Sequence, residues 1–311
     1  MRYACLPEAG PLRLAWIWNM LGTKEIKRRI RSVISIQQIT RAMQMIAVSR
    51  HKRAEDRLRS ARPYAQKIRE FMETLAPSLS SIRHPLLVKR EVKKIGLVLI
   101  TADKGLCGGY NANVINHAQR FLDQFSDKEL HLILVGRKGY DFYRRKKHLI
   151  DHKLLQISKD ITLQEVKEIS GVVIKGFEEG RYDEVYLIYT RYLSAMNSRP
   201  TTMKLLPLEK SEVLKTGGGI KGEPLFEPDP EEIMSLLLPK YLEAQIYNGL
   251  VESIASEQGA RMVSMKSATE NAEEMISFLS LSYNKARQAS ITKELLEVTT
   301  GAEALRYAKE K

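Results

Sequence analysis

The one stretch that invites a phosphate-binding reading is Asp103-Lys104-Gly105-Leu106-Cys107-Gly108-Gly109. It sits between a predicted strand and a predicted helix, where backbone N–H groups cradle phosphates in dinucleotide-binding and P-loop folds. The spacing fits neither G-x-G-x-x-G nor G-x-x-x-x-G-K-[ST], so it reads first as a tight strand-to-helix turn. Cys107 lies close to Lys104, but a lone cysteine at an apolar turn is more often inert than reactive. The only other cysteine is Cys5. Two such residues build no disulfide framework and no metal site, and a reducing compartment fits them. Of the histidines His51, His84, His117, His131, His148 and His152, only His148 and His152 have a ligand-like i, i+4 spacing. No acidic or thiol partner completes a site there, and all are read as solvated. No nucleophile–base arrangement stands out. The sequence therefore predicts no catalytic residue, no metal site and no cofactor.

Charge offers a second kind of chemistry. The chain carries a formal +13, a balance that suits nucleic acid, an anionic surface or an acidic protein partner. Between Lys24 and Glu70 there are 14 Lys/Arg and 4 Asp/Glu, whereas Asp229 to Lys311 holds 9 basic and 13 acidic residues. Two segments of opposite sign can lie against each other or face an acidic partner. The runs Lys24, Lys27, Arg28, Arg29, Arg31 and Arg50, Lys52, Arg53, Arg57, Arg59, Arg62 could track a phosphate backbone, but they lack the interleaved aromatics that single-strand binders use.

The elements that must position these groups follow from periodicity. Thr23 to Leu75 reads as a helix, with Thr23 as cap and Glu25 facing the positive end of the dipole. Its apolar residues Ile26, Ile30, Val33, Ile36, Ile39, Met43 and Ile46 form a seam whose repeated steps of three imply local overwinding. A second seam follows: Ala54, Leu58, Ala61, Ala65, Ile68, Met72, Leu75. Pro63 predicts a kink or break near Arg62, with a new helical segment starting at Pro63. Ile95–Thr101, Leu130–Val135 and Glu184–Tyr192 read as strands, with helices over 111–125, 138–147 and 163–179 between them, which argues for a mostly parallel sheet in an α/β domain. Thr201 to Leu208 reads as an antiparallel edge strand. Residues 215–228 have linker composition. Asp229-Pro230-Glu231-Glu232 is a helix start, and Pro239 predicts a kink or restart. In the last helix Met265, Ala268, Ala272, Met275, Leu279, Ser282, Ala286 and Ala289 recur by threes and fours, the seam of a coiled coil. From Lys240 to Thr300 a helix would run roughly 90 Å at about 1.5 Å per residue, too long to bury in a domain of this size. It must project, and its natural partner is the N-terminal helix, so an antiparallel two-helix coiled coil is expected. No apolar run approaches the roughly 20 residues that span a bilayer.

Three stretches also carry a resemblance: Ile39-Thr40-Arg41-Ala42-Met43-x-Met45 with Ser60-Ala61-Arg62-Pro63-Tyr64; Thr101-Ala102-Asp103-Lys104-Gly105-Leu106-Cys107-Gly108-Gly109-Tyr110-Asn111; and Ala260 to Asn271 with Tyr283 to Leu295. In wording and order they closely resemble the gamma subunit of F-type ATP synthase, over most of residues 20–301. Residues 1–19 fit nothing that follows and are read as an extension outside the family, either a disordered tail or a misread start upstream of Met20. A short targeting presequence has less support, because the segment has no serine and two arginines.

The resemblance implies the organisation 20–75 N-terminal coiled-coil helix, 76–214 Rossmann-like α/β domain, 215–228 linker and 229–311 C-terminal coiled-coil helix. It implies the central rotor shaft of an F-type ATP synthase, passing torque between the membrane c-ring and the catalytic beta subunits without a catalytic site of its own. Implied partners are the alpha and beta subunits, epsilon and the c-ring, with the membrane touched only through the c-ring, on the cytoplasmic face of a bacterial plasma membrane. Met43, Arg261, Arg287, Gln288, Thr292 and Glu294 match positions that contact the alpha/beta ring. The family's plastid members carry a dithiol insert that this sequence lacks. The alternative that composition leaves open is a basic coiled-coil nucleic-acid-binding protein; a nucleotide-dependent enzyme on the α/β domain is disfavoured by the loop spacing. The coupling ion and the net direction of the reaction are not written in this chain.

Overall fold

The computed structural model describes residues 22–75, 84–146, 148–156, 161–208 and 230–309. The extension 1–19 and the linker 215–228 lie outside them. In chain order the elements are α1 (Thr23–Leu75), β1 (Lys94–Ile100), α2 (Tyr110–Asp123), β2 (Glu129–Val135), α3 (Arg137–Tyr143), β3 (Leu149–Leu154), α4 (Leu163–Glu178), β4 (Glu184–Tyr192), β5 (Ser198–Leu206) and α5 (Pro230–Lys309), with a single 3₁₀ turn at Pro85–Leu87. The described residues divide into two compact units, one formed by 22–43 with 265–309 and the other lying within 44–264. Both long helices contribute to each.

In the 44–264 unit, five strands form one sheet in the order β3-β2-β1-β4-β5. β1 pairs parallel with both β2 and β4, β2 parallel with β3, and β4 antiparallel with β5. The period-2 alternation of a strand sorts the side chains into two layers. Val98, Ile100, Ile133, Val135, Val185 and Leu187 bury one face against α4 and the first part of α5, from Met234 to Leu250. Leu97, Leu99, Leu132, Leu134 and Ile188 bury the other against α2 and Tyr143 of α3. A sheet covered on both faces explains why β1 and β2 read as near-continuous apolar runs. α4 starts with a complete capping box, Thr162 with Glu165.

The edge strand β3 is absent from the sequence-based expectation. Its residues Leu149-Ile150-Asp151-His152-Lys153-Leu154 alternate between exposed and half-buried, so no apolar run announces it. Gly136 shows why the turn after β2 must be glycine: its φ is +97° and a Cβ there would lie 2.1 Å from the Thr101 carbonyl oxygen.

Of the alternatives expected at Pro63 and Pro239, a kink or an interruption, the interruption does not occur at either. α1 is one helix through Pro63 and α5 one helix through Pro239. Proline removes a hydrogen bond and crowds the preceding turn, but each is flanked by anchored side chains, Leu58 and Ile68 around Pro63, Leu238 and Leu242 around Pro239, all buried. Tertiary packing of the flanking turns outweighs the local cost.

Candidate partner-binding surface

Within the unit made of 22–43 and 265–309, the two helices run antiparallel. Gln37 Nε2 donates to Glu273 Oε1 at 2.9 Å, and the hydroxyl oxygens of Thr40 and Thr269 lie 2.9 Å apart, so rising numbers on α1 meet falling numbers on α5. Ile26, Met265, Ala272 and Leu279 are buried, Ile30, Val33 and Ala268 half-buried. Along α1 one row of less exposed positions runs Ile26, Ile30, Val33, Gln37, Thr40, Gln44, Ala47, His51, Ala54, Leu58 and Ala61, with Arg29, Met43, Arg50 and Arg57 half-buried beside it. This row alternates steps of four and three, a heptad spacing without the repeated steps of three that the apolar residues alone give. Ile39 and Ile46, together with Ile36, were placed in the seam by their hydrophobicity; they are 56%, 53% and 50% exposed. Likewise Met275 is 51% exposed while Thr269 and Ile276 face inward. Polar residues that pair across the seam take the interior register, so the apolar residues beside them line an outward stripe.

Among the described residues nothing covers the far end of α5. Every residue from Arg287 to Arg306 is exposed. At roughly 1.5 Å per residue this is about 30 Å of bare helix. It carries Ile291, Leu295, Val298 and Leu305 at steps of four, three and seven, each at least half exposed, with Leu296 beside them. Of the expected contact residues, Arg287, Gln288, Thr292 and Glu294 lie on this stretch. Thr292 Oγ1 donates back to the Gln288 carbonyl at 3.0 Å, and Glu294 Oε1 accepts from Ser290 at 3.3 Å. Met43 is half-buried.

Arg261 is placed differently from the other expected contact residues. It is 7% exposed. Its Nη1 meets Glu257 Oε1 at 2.6 Å, and Nη2 donates to the carbonyls of Gly105 at 3.2 Å and Lys104 at 3.4 Å. The guanidinium thus ties α5 to the glycine-rich loop inside its own unit. Burial pushes the Glu257 carboxyl above its usual range, against the opposing pull of Arg261.

The loop behaves as a turn. Leu106 and Gly108 adopt positive φ, Asn111 Oδ1 accepts from Ala102 N at 3.0 Å, and Asp103 Oδ1 accepts from Arg137 N at 2.9 Å. Cys107 is buried, which raises its thiol pKa and keeps it protonated. In a doubly wound sheet, ligands enter outside the carboxyl ends of the strands where strand order reverses, here between β1 and β4. α5 lies across that place. Thr190 N donates to Ser253 Oγ at 3.2 Å, Ser256 Oγ donates to Thr190 O at 3.3 Å, and Tyr192 N donates to Glu252 at 3.1 Å. The helix fills the crevice that a dinucleotide would need.

The expectation of solvated histidines does not hold. His51 and His131 are buried. His131 Nδ1 lies 3.0 Å from both carboxylate oxygens of Asp151, and Oδ2 also accepts from the Tyr182 hydroxyl at 2.6 Å. Burial, then the Asp151 carboxylate, pushes the Tyr182 phenol well above its usual range. His152 pairs with Glu168 at 3.1 Å from strand β3, so the i, i+4 spacing with His148 has no helical meaning. These groups share the sheet edge with β3, which is why a reading that missed the strand missed the cluster. Among the described residues no group of three or more His, Cys, Asp or Glu could hold a metal ion, and no helix is long and apolar enough to cross a membrane.

Comparison with known proteins gives a consistent result. A family model described as ATP synthase matches residues 22–305. The ATP synthase gamma chain of Heliobacterium modesticaldum is 47% identical over 291 residues, covering 92% of this chain and 100% of that protein. That of Desulfitobacterium hafniense is 43% identical, covering 92% and 100%. Among solved structures, a chain of the Tetrahymena thermophila mitochondrial ATP synthase central stalk and c-ring aligns with a TM-score of 0.56 at 27% identity, over 74% of this chain and 99% of that one. A chain of the Euglena gracilis mitochondrial ATP synthase aligns with a TM-score of 0.63 at 17% identity, over 93% and 96%, a likeness of fold.

Proposed function

The chain belongs to the ATP synthase gamma-chain family; from that premise we propose that it is a non-catalytic central-stalk rotor, whose uneven helical surfaces bias the conformations of catalytic beta subunits around it. The observation that carries this reading is the bare helix from Arg287 to Arg306 with its apolar stripe. A single helix of that length is only marginally stable in water by itself, and an exposed apolar stripe marks a surface meant for another protein. Partners that meet different faces of such a helix take up different conformations by differential contact alone. The crevice closed by α5 supports leaving nucleotide chemistry to the partners.

The proposed partners are the alpha and beta subunits around the helical pair, and epsilon and the c-ring around the α/β domain. Membrane contact is then indirect, at the cytoplasmic face of a bacterial plasma membrane. Arg287, Gln288, Thr292 and Glu294 are proposed to meet the alpha/beta ring with amide, hydroxyl and charged groups, and Met43 to lie opposite an acidic loop of beta. The nucleic-acid alternative gains no support, since the relatives described above are gamma chains. A tagged chain should retain alpha, beta and epsilon in fixed stoichiometry through a salt wash; recovery of nucleic acid in their place would sink the reading. In the assembled complex, Met43→Lys should preserve ATP hydrolysis and impair ion pumping driven by it. Unchanged pumping per ATP hydrolysed would remove Met43 from its proposed place.

A further inference from the structure

Closing the β1/β4 crevice leaves a smaller cavity beside it. It has a volume of about 320 Å³ and lies outside the carboxyl ends of β1 and β3, within the 44–264 unit. α1 contributes Arg50, Arg53 and Arg57, the loop after β1 contributes Asp103 and Lys104, and α5 contributes Glu257, Gln258 and Arg261. The three α1 arginines are spaced i, i+3, i+7, which sets them on one helix face. Among the described residues, five cationic side chains line the cavity against two acidic ones.

The acidic groups are occupied within the protein. Glu257 takes Arg261, and Asp103 takes the backbone N–H groups of Arg137 and Gln156. With Arg261 paired to Glu257 and Arg57 left out of the balance, Arg50, Arg53 and Lys104 still outnumber the one remaining lining carboxylate, Asp103. A second observation comes from its floor. Gln258 is 7% exposed, its Nε2 donates to Glu257 at 3.2 Å, and its Oε1 is buried with no hydrogen-bond partner. A buried acceptor left unpaired is costly, so this end of the cavity calls for a donor while the arginine wall calls for an anion.

We propose that this cavity binds a small soluble phosphate-bearing anion that also carries a hydroxyl, of the class of a sugar phosphate. Its phosphate would lie against Arg50, Arg53 and Lys104, and its hydroxyl would donate to Gln258 Oε1. Guanidinium forks match phosphate oxygens in pairs. A net excess of positive charge suits a doubly charged anion better than a lone carboxylate. The volume lies at the small end of ligand pockets, too small for a folded segment of another protein. The site is separate from the partner-binding stretch of α5 and asks nothing of the chemistry in the beta subunits.

The test is titration calorimetry of the full chain with ribose 5-phosphate and with pyrophosphate, which has the charge without the sugar hydroxyls. Ribose 5-phosphate should bind saturably at one site. Arg53→Gln and Lys104→Gln, at exposed positions where the fold tolerates change, should each weaken it by about tenfold, the scale of a charge-assisted hydrogen bond. Gln258→Leu should weaken ribose 5-phosphate and leave pyrophosphate unchanged. Arg31→Gln, in the basic run of the other unit, should have no effect. Non-saturable binding, or an Arg31→Gln loss equal to that of Arg53→Gln, would reduce the site to diffuse electrostatics and overturn the proposal. Equal tightness in wild type and the Arg53→Gln/Lys104→Gln double variant, with unchanged thermal unfolding, would overturn it as well.

Discussion

α5 is one continuous helix with two unlike regions. From Met234 to Ala255 it is internal: Met234, Leu238, Leu242, Ile246 and Ala255 are fully buried, and Ser253 and Ser256 close on the backbone of Thr190. From Arg287 to Arg306 nothing in the described structure covers it. Both regions carry regularly spaced apolar residues. The difference is that the first meets a sheet supplied by its own chain, and the second does not. An apolar stripe thus states that a surface will be buried, without stating by whom. Stability of the isolated chain and assembly into the complex should separate along the helix.

The largest effect on stability should come from the internal region. Leu242→Ala removes a fully buried side chain from the sheet-facing layer and should cost about 2–5 kcal/mol, read as a lower midpoint in urea unfolding of the isolated chain. A loss below about 0.5 kcal/mol, typical of surface sites, would break the comparison. Next comes Arg261→Ala, at the boundary of the internal region. It leaves Glu257 buried without its counter-charge and frees the loop carbonyls of Lys104 and Gly105, a loss on the order of 3 kcal/mol for a broken buried pair. The sign of its pH dependence follows from Glu257. Burial raises this carboxyl's folded-state pKa, so the folded protein binds the proton more tightly than the unfolded chain does. Its contribution to stability is present at low pH and is lost as pH rises through the raised value. Without Arg261 the carboxyl is raised further. The deficit of the variant should therefore be greatest near neutral pH and shrink as pH falls toward the ordinary carboxylate range. A deficit that grows on acidification would mean Glu257 is not the group left stranded.

Much of this was legible in the sequence because single segments carried their own signal. β1, β2 and β4 are continuous apolar runs buried on both faces, and the two long helices have a 3–4 spacing over many turns. The failures have a common cause. Ile36, Ile39 and Ile46 outrank Gln37, Thr40 and Gln44 in hydrophobicity, so pattern reading chose them for the seam. The geometry reverses that choice, because Gln37 and Thr40 find Glu273 and Thr269 on the facing helix. Partners more than 200 residues away in sequence are invisible to a local pattern. β3 was missed for the same reason: its polar residues are made acceptable by His131–Asp151 and His152–Glu168, pairs that exist only once the sheet has formed. Arg261 matches by motif a position that contacts the alpha/beta ring, and the fold adds what the motif does not state, its hold on Glu257 and the loop carbonyls. At Pro63 and Pro239 a kink or an interruption is expected from the residue alone, and packing on either side keeps each helix uninterrupted.

The smallest effect on stability, with the largest on assembly, should come from the bare end of α5. Leu295→Asp with Val298→Asp changes two side chains that are 65% and 70% exposed. In the isolated chain the variant should unfold within about 0.5 kcal/mol of wild type, as surface substitutions do. In the presence of partner subunits the same change places two carboxylates where an apolar contact is expected, and burying an unpaired charge is strongly unfavourable. Recovery of alpha and beta subunits with the tagged chain should fall sharply. A control pair on the polar flank, Lys293→Gln with Glu297→Gln, should leave recovery near wild type. If the aspartates lower the stability of the isolated chain by as much as Leu242→Ala does, the stripe is internal after all and the contrast along the helix disappears. If they alter neither stability nor recovery, the bare end of α5 is not the surface on which the complex assembles.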